Sequence, residues 1–152
     1  MSFWDSMRIS ASALTAQRLR LDVISNNIAN AETTRTAEGG PYKREDVVFT
    51  TQARNSFFPA LVMARRGADA QQSLAAAGVQ VREITTDKTP GPRVYDPTHP
   101  DADAQGYVTY PNVNIVNEMT NMLSATRSYE AAMAAVEASK RMALRALDIN
   151  SR

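Results

Sequence analysis

The chain has 152 residues, 43% of them hydrophobic, and its 17 lysines and arginines nearly balance 16 aspartates and glutamates, giving a net charge of +1. This balance offers no electrostatic reason to expect a nucleic acid or an acidic membrane as a partner. Cysteine is absent, which excludes disulfides and thiolate metal sites, and no apolar run reaches the roughly 20 residues that a membrane-spanning helix needs.

The first residues also lack the basic segment followed by an apolar segment that marks a signal peptide. We therefore expect no cleaved leader. Such a chain is expected in the cytoplasm unless it leaves by a route that needs no signal peptide.

Residues 1–36 are predicted to contain one long amphipathic helix. Apolar side chains recur there at steps of three, four and seven residues, which an α-helix places on one face. The helix is expected to end near Ala31, where asparagines, which favour caps and turns over helix interiors, come close together. The apolar positions are Met7, Leu14, Leu21, Ile24 and Ile28, and the asparagines are Asn26, Asn27 and Asn30.

Residues 37–111 are predicted to form a short β-containing insert between two helices. Gly39-Gly40-Pro41 ends the helical pattern. Strands are expected within 42–52, which is rich in β-branched residues, at 78–87, where apolar and polar residues alternate, and at 107–110.

Other parts of the insert are expected to be irregular. Pro59 argues against regular structure in the apolar run 55–63, and the polar, alanine-rich residues 64–77 have a composition compatible with disorder. Residues 88–106 hold four prolines, which prevents long regular elements.

Residues 112–152 are predicted to form a second long helix. Asn114 is a favourable N-cap, and Glu118 suits the positive end of the helix dipole. Large side chains alternate at steps of three and four residues, a heptad-like pattern interrupted by Thr126 and Lys140. The candidate packing positions of this helix are Met119, Met122, Tyr129, Met133, Val136, Ala143 and Leu147.

Candidate catalytic and metal-binding residues are few. His99 is the only histidine and lies in the proline-rich segment, so a loop histidine is favoured over a catalytic one. Residues 101–106 resemble the first half of a calcium-binding loop, but Asn112 stands where a bidentate glutamate is required. Turn formation explains the aspartates equally well, and nothing nearby indicates a pocket that would make them catalytic. We expect no enzyme activity, cofactor, metal or small-molecule substrate.

The two helical stripes have two interpretations. Methionine-lined helix faces are more often core than interface. A pair of helices, however, hides only part of each stripe, and the apolar surface that remains favours partners. We therefore favour an interaction surface over a simple core.

Three blocks of the sequence together resemble the flagellar axial proteins, the family of rod and hook subunits. They are SALTAQRLRLDVISNNIANAETTRTAEGGPYKR near the N-terminus, YDPTHPDADAQGYVTYPNVN at 95–114 and NEMTNMLSATRSYEAAMAAVEASKRMALRALDI at 117–149. The first and last blocks are shared by rod and hook proteins, and the middle block is similar to that of proximal rod subunits. Together they cover more than half of the chain, in the family's order.

This resemblance implies a mainly α protein whose terminal helices form an antiparallel coiled coil in the inner tube of the rod, with the small β region further out. It implies a structural, torque-transmitting subunit in the basal body, in the rod that crosses the periplasm, exported by the flagellar type III apparatus. The implied partners are copies of itself, other proximal and distal rod subunits, the protein at the junction of the MS ring and the rod, and the export apparatus. The asparagines are then expected to form hydrogen bonds between subunits that fix their register.

Two other functions remain open from the residues alone. One is a soluble helical adaptor or export chaperone, which would have both helices fully folded in dilute solution. The other is a small hydrolase or calcium-dependent enzyme that uses the loop from His99 to Asp103. Another rod or hook subunit is a further alternative within the family.

Overall fold

A computed structural model describes residues 3–52 and 78–150 of the chain. The elements in order are α1 (Phe3–Ala29), β1 (Glu45–Thr51), β2 (Val79–Thr86), β3 (Arg93–Tyr95), β4 (Tyr107–Thr109) and α2 (Ile115–Asn150). Two long terminal helices with a small β region between them are thereby confirmed. The predictions for residues 55–63 and 64–77 lie outside the described residues.

Helix α1 ends in a series of amide hydrogen bonds. The Asn30 side chain donates to the carbonyl oxygen of Asn26 at 3.0 Å and to its side-chain oxygen at 2.9 Å, and it accepts from the Thr33 hydroxyl at 3.2 Å. The Asn26 carbonyl also accepts the Asn30 N–H at 3.1 Å, so these bonds add side-chain links between the last turn of the helix and the segment that follows it. The chain then turns at Gly39 and Gly40, whose φ angles of 86° and 80° are readily adopted only by glycine.

Helix α2 begins at a side-chain cap. The Asn114 side-chain oxygen accepts a hydrogen bond from the Asn117 N–H at 3.1 Å, and the Asn114 carbonyl accepts from the Glu118 N–H at 2.9 Å. This is the N-cap that the sequence predicts, since the amide oxygen replaces a missing intrahelical acceptor.

The strands form two sheets of two strands each. In the first, the Gln52 N–H donates to the Gly78 carbonyl at one end of the β1–β2 pair, and the Asp87 N–H donates to the Arg44 carbonyl at the other, so the two strands are antiparallel. In the second, β3 and β4 are antiparallel with Val94 opposite Val108. Strand β3 was not predicted, because it occupies only three residues of the proline-rich segment.

The chain divides into two compact units. Among the described residues, unit 1 comprises 3–16, 49–52, 78–82 and 129–150, and unit 2 comprises 17–48 and 83–128. In unit 1, the Ser12 hydroxyl accepts from the Val79 N–H at 3.1 Å and donates to the Ile9 carbonyl at 2.7 Å, which fastens the start of β2 to α1. Unit 2 buries the apolar side chains of Val23, Ile24, Val47, Val108 and Ala125.

Gly91 lies against the backbone that follows β4. A Cβ atom at this position would be 1.9 Å from the Tyr110 carbonyl oxygen and 2.8 Å from the Pro111 carbonyl carbon. We therefore expect Gly91→Ala to destabilise unit 2 by about 1–3 kcal/mol, the usual cost of overpacking, as measured by urea denaturation. Pro90→Ala, which alters an exposed neighbour, is the control, and equal stability of the two variants would contradict this close approach.

Candidate assembly surface and polar junction

Asn27, in the last turns of α1, is completely buried and is hydrogen-bonded within its own chain. Its side-chain nitrogen donates to the Glu45 carbonyl at 2.8 Å, while its side-chain oxygen accepts from the Glu45 N–H at 2.9 Å. The amide thus bonds both polar groups of one residue's backbone, as a neighbouring strand would. The Tyr42 hydroxyl donates to the same oxygen at 2.9 Å. The hydrogen bonds between subunits predicted for Asn27 stay a prediction, and within the subunit the start of β1 already bonds both ends of its amide.

Glu118, in the first turn of α2, is also buried, and it meets Asn27 and a cation. Its Oε1 atom accepts from the Nε of Arg44 at 2.9 Å, and its Oε2 atom accepts from the Asn27 side-chain nitrogen at 3.3 Å. A buried carboxylate is tolerated when it is paired and hydrogen-bonded in this way. We refer to Asn27, Tyr42, Arg44 and Glu118 as the polar junction. It joins α1, the segment before β1 and α2 within unit 2.

The electrostatics of the polar junction favour a neutral Tyr42 and a charged Arg44. Burial, followed by the charges of Glu45 and Glu118, raises the pKa of Tyr42 above its ordinary value, so its hydroxyl remains a donor. Burial alone would lower the pKa of Arg44, but the hydrogen bond and charge of Glu118, with smaller contributions from Asp46 and Asp87, raise it. The junction is therefore a set of fixed donors and acceptors, suited to holding backbone in place.

An amide-rich cleft of about 460 Å³ opens beside the polar junction. Its lining residues are Arg44, Asn112, Asn114, Asn117, Glu118, Thr120 and Asn121. The Asn112 side chain accepts from the Arg44 N–H at 3.2 Å. The cleft offers hydrogen-bonding groups, and its lining includes neither a histidine nor a serine that could act in nucleophilic catalysis.

The aspartates of the loop between β3 and β4 serve turns and loop contacts. The Asp101 carboxylate accepts from the Thr34 hydroxyl at 2.8 Å and lies 3.5 Å from the Arg35 guanidinium. The Nδ1 atom of His99 accepts from the Asp101 N–H at 3.1 Å. In the described parts of the chain, no three His, Cys, Asp or Glu side chains lie together in a way that could hold a metal ion. The contacts of Asp101 with Thr34 and Arg35 link this loop to the segment that follows α1.

Two carboxylates of this loop make it sensitive to acid. Hydrogen bonds from the Thr98 hydroxyl and N–H lower the pKa of Asp96, and the Tyr107 N–H, followed by other donors, lowers the pKa of Asp103. Because the pKa of each carboxylate is lower in the folded loop than in the unfolded chain, ionisation stabilises the loop at pH values above the ordinary aspartate pKa of about 3.9. This stabilisation is lost as the pH falls through the folded-state pKa.

We therefore expect the amide resonances of Thr98 and Tyr107 to keep their native NMR shifts at pH 5 and to change only below a pH of about 3.9. Asp96→Asn should remove the transition at Thr98 and leave that at Tyr107. A transition above the ordinary aspartate pKa in the unaltered chain would contradict these hydrogen bonds.

The buried face of α2 differs by one residue from the predicted one. Glu118, Ala125 and Ser139 are buried, whereas Met119, Met133 and Leu147, predicted for the seam, are exposed. A buried residue of α2 need not be large and apolar. Glu118 is paired with Arg44, and Ala125 and Ser139 have small side chains. The other predicted α2 positions, Met122, Tyr129, Val136 and Ala143, are half-buried.

Most of the packing positions predicted for α1 are partly shielded from solvent within the subunit. Ile24 is buried, and the half-buried residues are Met7, Leu14, Leu21, Ile28 and Asn30. Asn26 is exposed, and its side-chain nitrogen lies 3.3 Å from the Tyr42 hydroxyl.

Large apolar side chains line an exposed stripe on the first turns of α2. Val116, Met119 and Leu123 are 71%, 53% and 63% exposed. Their spacing of three and four residues places them on one face of the helix. We call these three residues the exposed stripe. Such neighbouring apolar groups typically mark a surface that a partner covers.

Sequence reasoning missed the roles of Tyr42, Arg44 and Glu118. Arg44 belongs to a charged run that resembles an exposed edge, and Glu118 resembles an ordinary first-turn acid. A signal was nevertheless present, because Glu118 begins a seven-residue series that continues at the small residues Ala125, Ala132 and Ser139, of which Ala125 and Ser139 are buried.

The described residues include no helix that is both long and apolar enough to cross a membrane. Two family models match the chain: "Flagella basal body rod protein" at residues 7–35 and "Flagellar basal body rod FlgEFG protein C-terminal" at residues 104–149. The matched segments contain α1 from Met7 onward and nearly all of α2.

Relatives match almost the full length of the chain. The flagellar basal-body rod protein FlgC of Borreliella burgdorferi is 43% identical over 153 residues, covering 98% of both chains. That of Bacillus subtilis is 43% identical over 153 residues, covering 98% of this chain and 99% of the relative. That of Salmonella typhimurium is 36% identical over 149 residues, covering 98% of both.

Proposed function

From the premise that this chain belongs to the FlgC family of flagellar basal-body rod proteins, and is a structural subunit of that rod, we propose that it polymerises through its terminal helices and transmits torque. The observation that carries the proposal is the exposed stripe. Apolar side chains of this size are covered in a stable assembly, and burying each one contributes roughly 1.5–3 kcal/mol.

The proposal assigns different tasks to the parts of the chain. Residues 1–36 and 112–152 form the inner-tube part as an antiparallel coiled coil, and residues 37–111 form the outer part. The half-buried apolar residues of α1 pack within the subunit and against neighbours, together with the exposed Met119, Met133 and Leu147 of α2. The exposed Asn26, whose side chain also bonds Tyr42 and Asn30 within the subunit, forms hydrogen bonds between subunits with its second side-chain N–H.

The proposed setting is the proximal rod where it crosses the periplasm. Family membership supports assembly with other rod components. The proposed neighbours are copies of the chain, other proximal and distal rod subunits, and the protein at the junction of the MS ring and the rod. Export through the flagellar type III apparatus fits the absence of cysteine, because no cross-link can form in transit. A structural family also fits a protein without catalytic activity.

The test is deletion of the gene in the bacterium that encodes it, followed by complementation with the tagged chain. We expect swimming to be lost on deletion and restored on complementation, and the tagged chain to be present in purified basal bodies. If the deletion strain swims normally, and the chain is recovered only from the soluble fraction, the adaptor function is supported and this proposal fails.

A further inference from the structure

The polar junction contains two buried polar side chains that face each other from different helices. Asn27 of α1 and Glu118 of α2 are 0% and 1% exposed, and both belong to unit 2. The remaining buried side chains of these helix segments, Val23, Ile24 and Ala125, are apolar. Apolar seams with steps of three and four residues can also fit together after a slip of one turn, so they define register weakly.

We propose that Asn27 and Glu118 specify the register of α1 against α2 within unit 2. A slip of α1 by one turn would place Val23 or Ala31, four residues away on either side, where Asn27 now lies. Neither residue can donate a side-chain hydrogen bond to the buried carboxylate of Glu118. The slipped arrangement would therefore lack one of the two partners of this charge.

The same slip would also cost the Asn27 amide its own partners. Its two hydrogen bonds to the Glu45 backbone, at 2.8 and 2.9 Å, exist only while this turn of α1 faces the start of β1. A slip in the direction that brings Asn27 opposite Met122 would bury the amide against a thioether, a weak acceptor. The two residues thus penalise slips on both helices, whereas apolar residues at these positions would tolerate them.

The pair acts as a positioning device, and its role does not depend on assembly into a rod. It also differs from the register between subunits that the asparagines were predicted to set, because both partners lie in one chain. The four side chains of the polar junction make the device specific, since Arg44 donates to the other oxygen of Glu118 and Tyr42 donates to the side-chain oxygen of Asn27 that also accepts from the Glu45 N–H.

The test measures register directly in the full-length chain. Ser25 and Ser124 are exposed on α1 and α2 of unit 2, and the chain has no cysteine. Ser25→Cys/Ser124→Cys therefore takes nitroxide labels at these two sites only, and the distance between the labels is measured by pulsed electron paramagnetic resonance. We expect one narrow distance distribution for the otherwise unaltered chain.

Asn27→Leu/Glu118→Met, added to the labelled chain, should broaden the distribution or add a second population displaced by about 5 Å, the length of one helical turn. Its melting temperature should be lower, because the Glu45 backbone groups and the Arg44 guanidinium lose the partners that Asn27 and Glu118 provide, so the distance and not the stability reports the register. The matched control, Asp22→Leu/Asn117→Met, alters exposed positions of the same helices and should keep the single distance.

Glu118→Gln keeps the fold testable if the apolar variant fails to fold. Glutamine retains one acceptor oxygen where the carboxylate has two, and Asn27 keeps both of its hydrogen bonds to the Glu45 backbone, so the single distance should persist. An unchanged narrow distribution in Asn27→Leu/Glu118→Met would overturn the proposal, as would a broadened one in Glu118→Gln. A broad distribution in the otherwise unaltered chain would also overturn it, because no register would then be fixed within the subunit.

Discussion

We expect Met119→Asp/Leu123→Asp to prevent incorporation of the chain into the rod while leaving the subunit folded. Both side chains are exposed in the subunit, and substitutions at such positions usually change stability by no more than about 0.5 kcal/mol. In the proposed assembly, each substitution removes about 1.5–3 kcal/mol of apolar burial and adds the cost of desolvating a carboxylate.

The measurement is the amount of the chain in purified basal bodies, together with swimming on soft agar and circular dichroism of the purified subunit. Ser128→Asp, at an exposed position of the same helix, is the control for added charge. Normal swimming of the double variant would mean that no subunit covers the exposed stripe. Loss of helical signal would instead show that Met119 and Leu123 support the fold of the subunit.

The second large effect concerns the polar junction. Arg44→Met removes the cation that accompanies the buried Glu118, and we expect it to destabilise the subunit by about 1–3 kcal/mol, the usual cost of leaving a buried acceptor without its partner, because the Arg44 side chain is 25% exposed and the pair is only partly buried. Among the described side chains, Asn27 would then be the remaining partner of the carboxylate, at 3.3 Å.

Urea denaturation at pH 7 measures this loss. Lys43→Met, which removes the adjacent exposed cation, should have little effect. Arg44→Met/Glu118→Leu should recover much of the stability, because neither member of the pair then remains buried alone. If Arg44→Met and Lys43→Met have the same unfolding midpoint, water must reach Glu118 and replace its partner.

The sequence was sufficient to predict the helices and most strands because local chemistry determines them. The steps of three and four residues in α1 and α2, the Asn114 cap and the Gly39-Gly40 turn are all properties of neighbouring residues. Strand β3 was missed, since three residues between prolines carry too little pattern to separate a strand from a loop.

The face that α2 buries could not be predicted in the same way. Periodicity ranks positions by hydrophobicity, and by that criterion Met119 and Met133 are better candidates than Glu118 and Ser139. The structure buries the latter pair: the Ser139 hydroxyl donates to the Ala135 carbonyl of its own helix at 2.9 Å, and Arg44, 74 positions away in the sequence, pairs with Glu118. The seven-residue series indicates the face on which Glu118 lies, but a partner at that separation leaves no local signal, so the pairing with Arg44 emerges only when the chain is folded.

The hydrogen bonds of Asn27 also influence how freely the sequence can change during evolution. Asn27 binds the N–H and carbonyl of residue 45, groups that every amino acid except proline possesses. Position 45 can therefore drift among residues that suit a strand, while position 27 requires an amide of one particular length. In a saturation library scored for swimming, position 45 should accept many substitutions and exclude proline, whereas position 27 should reject even glutamine.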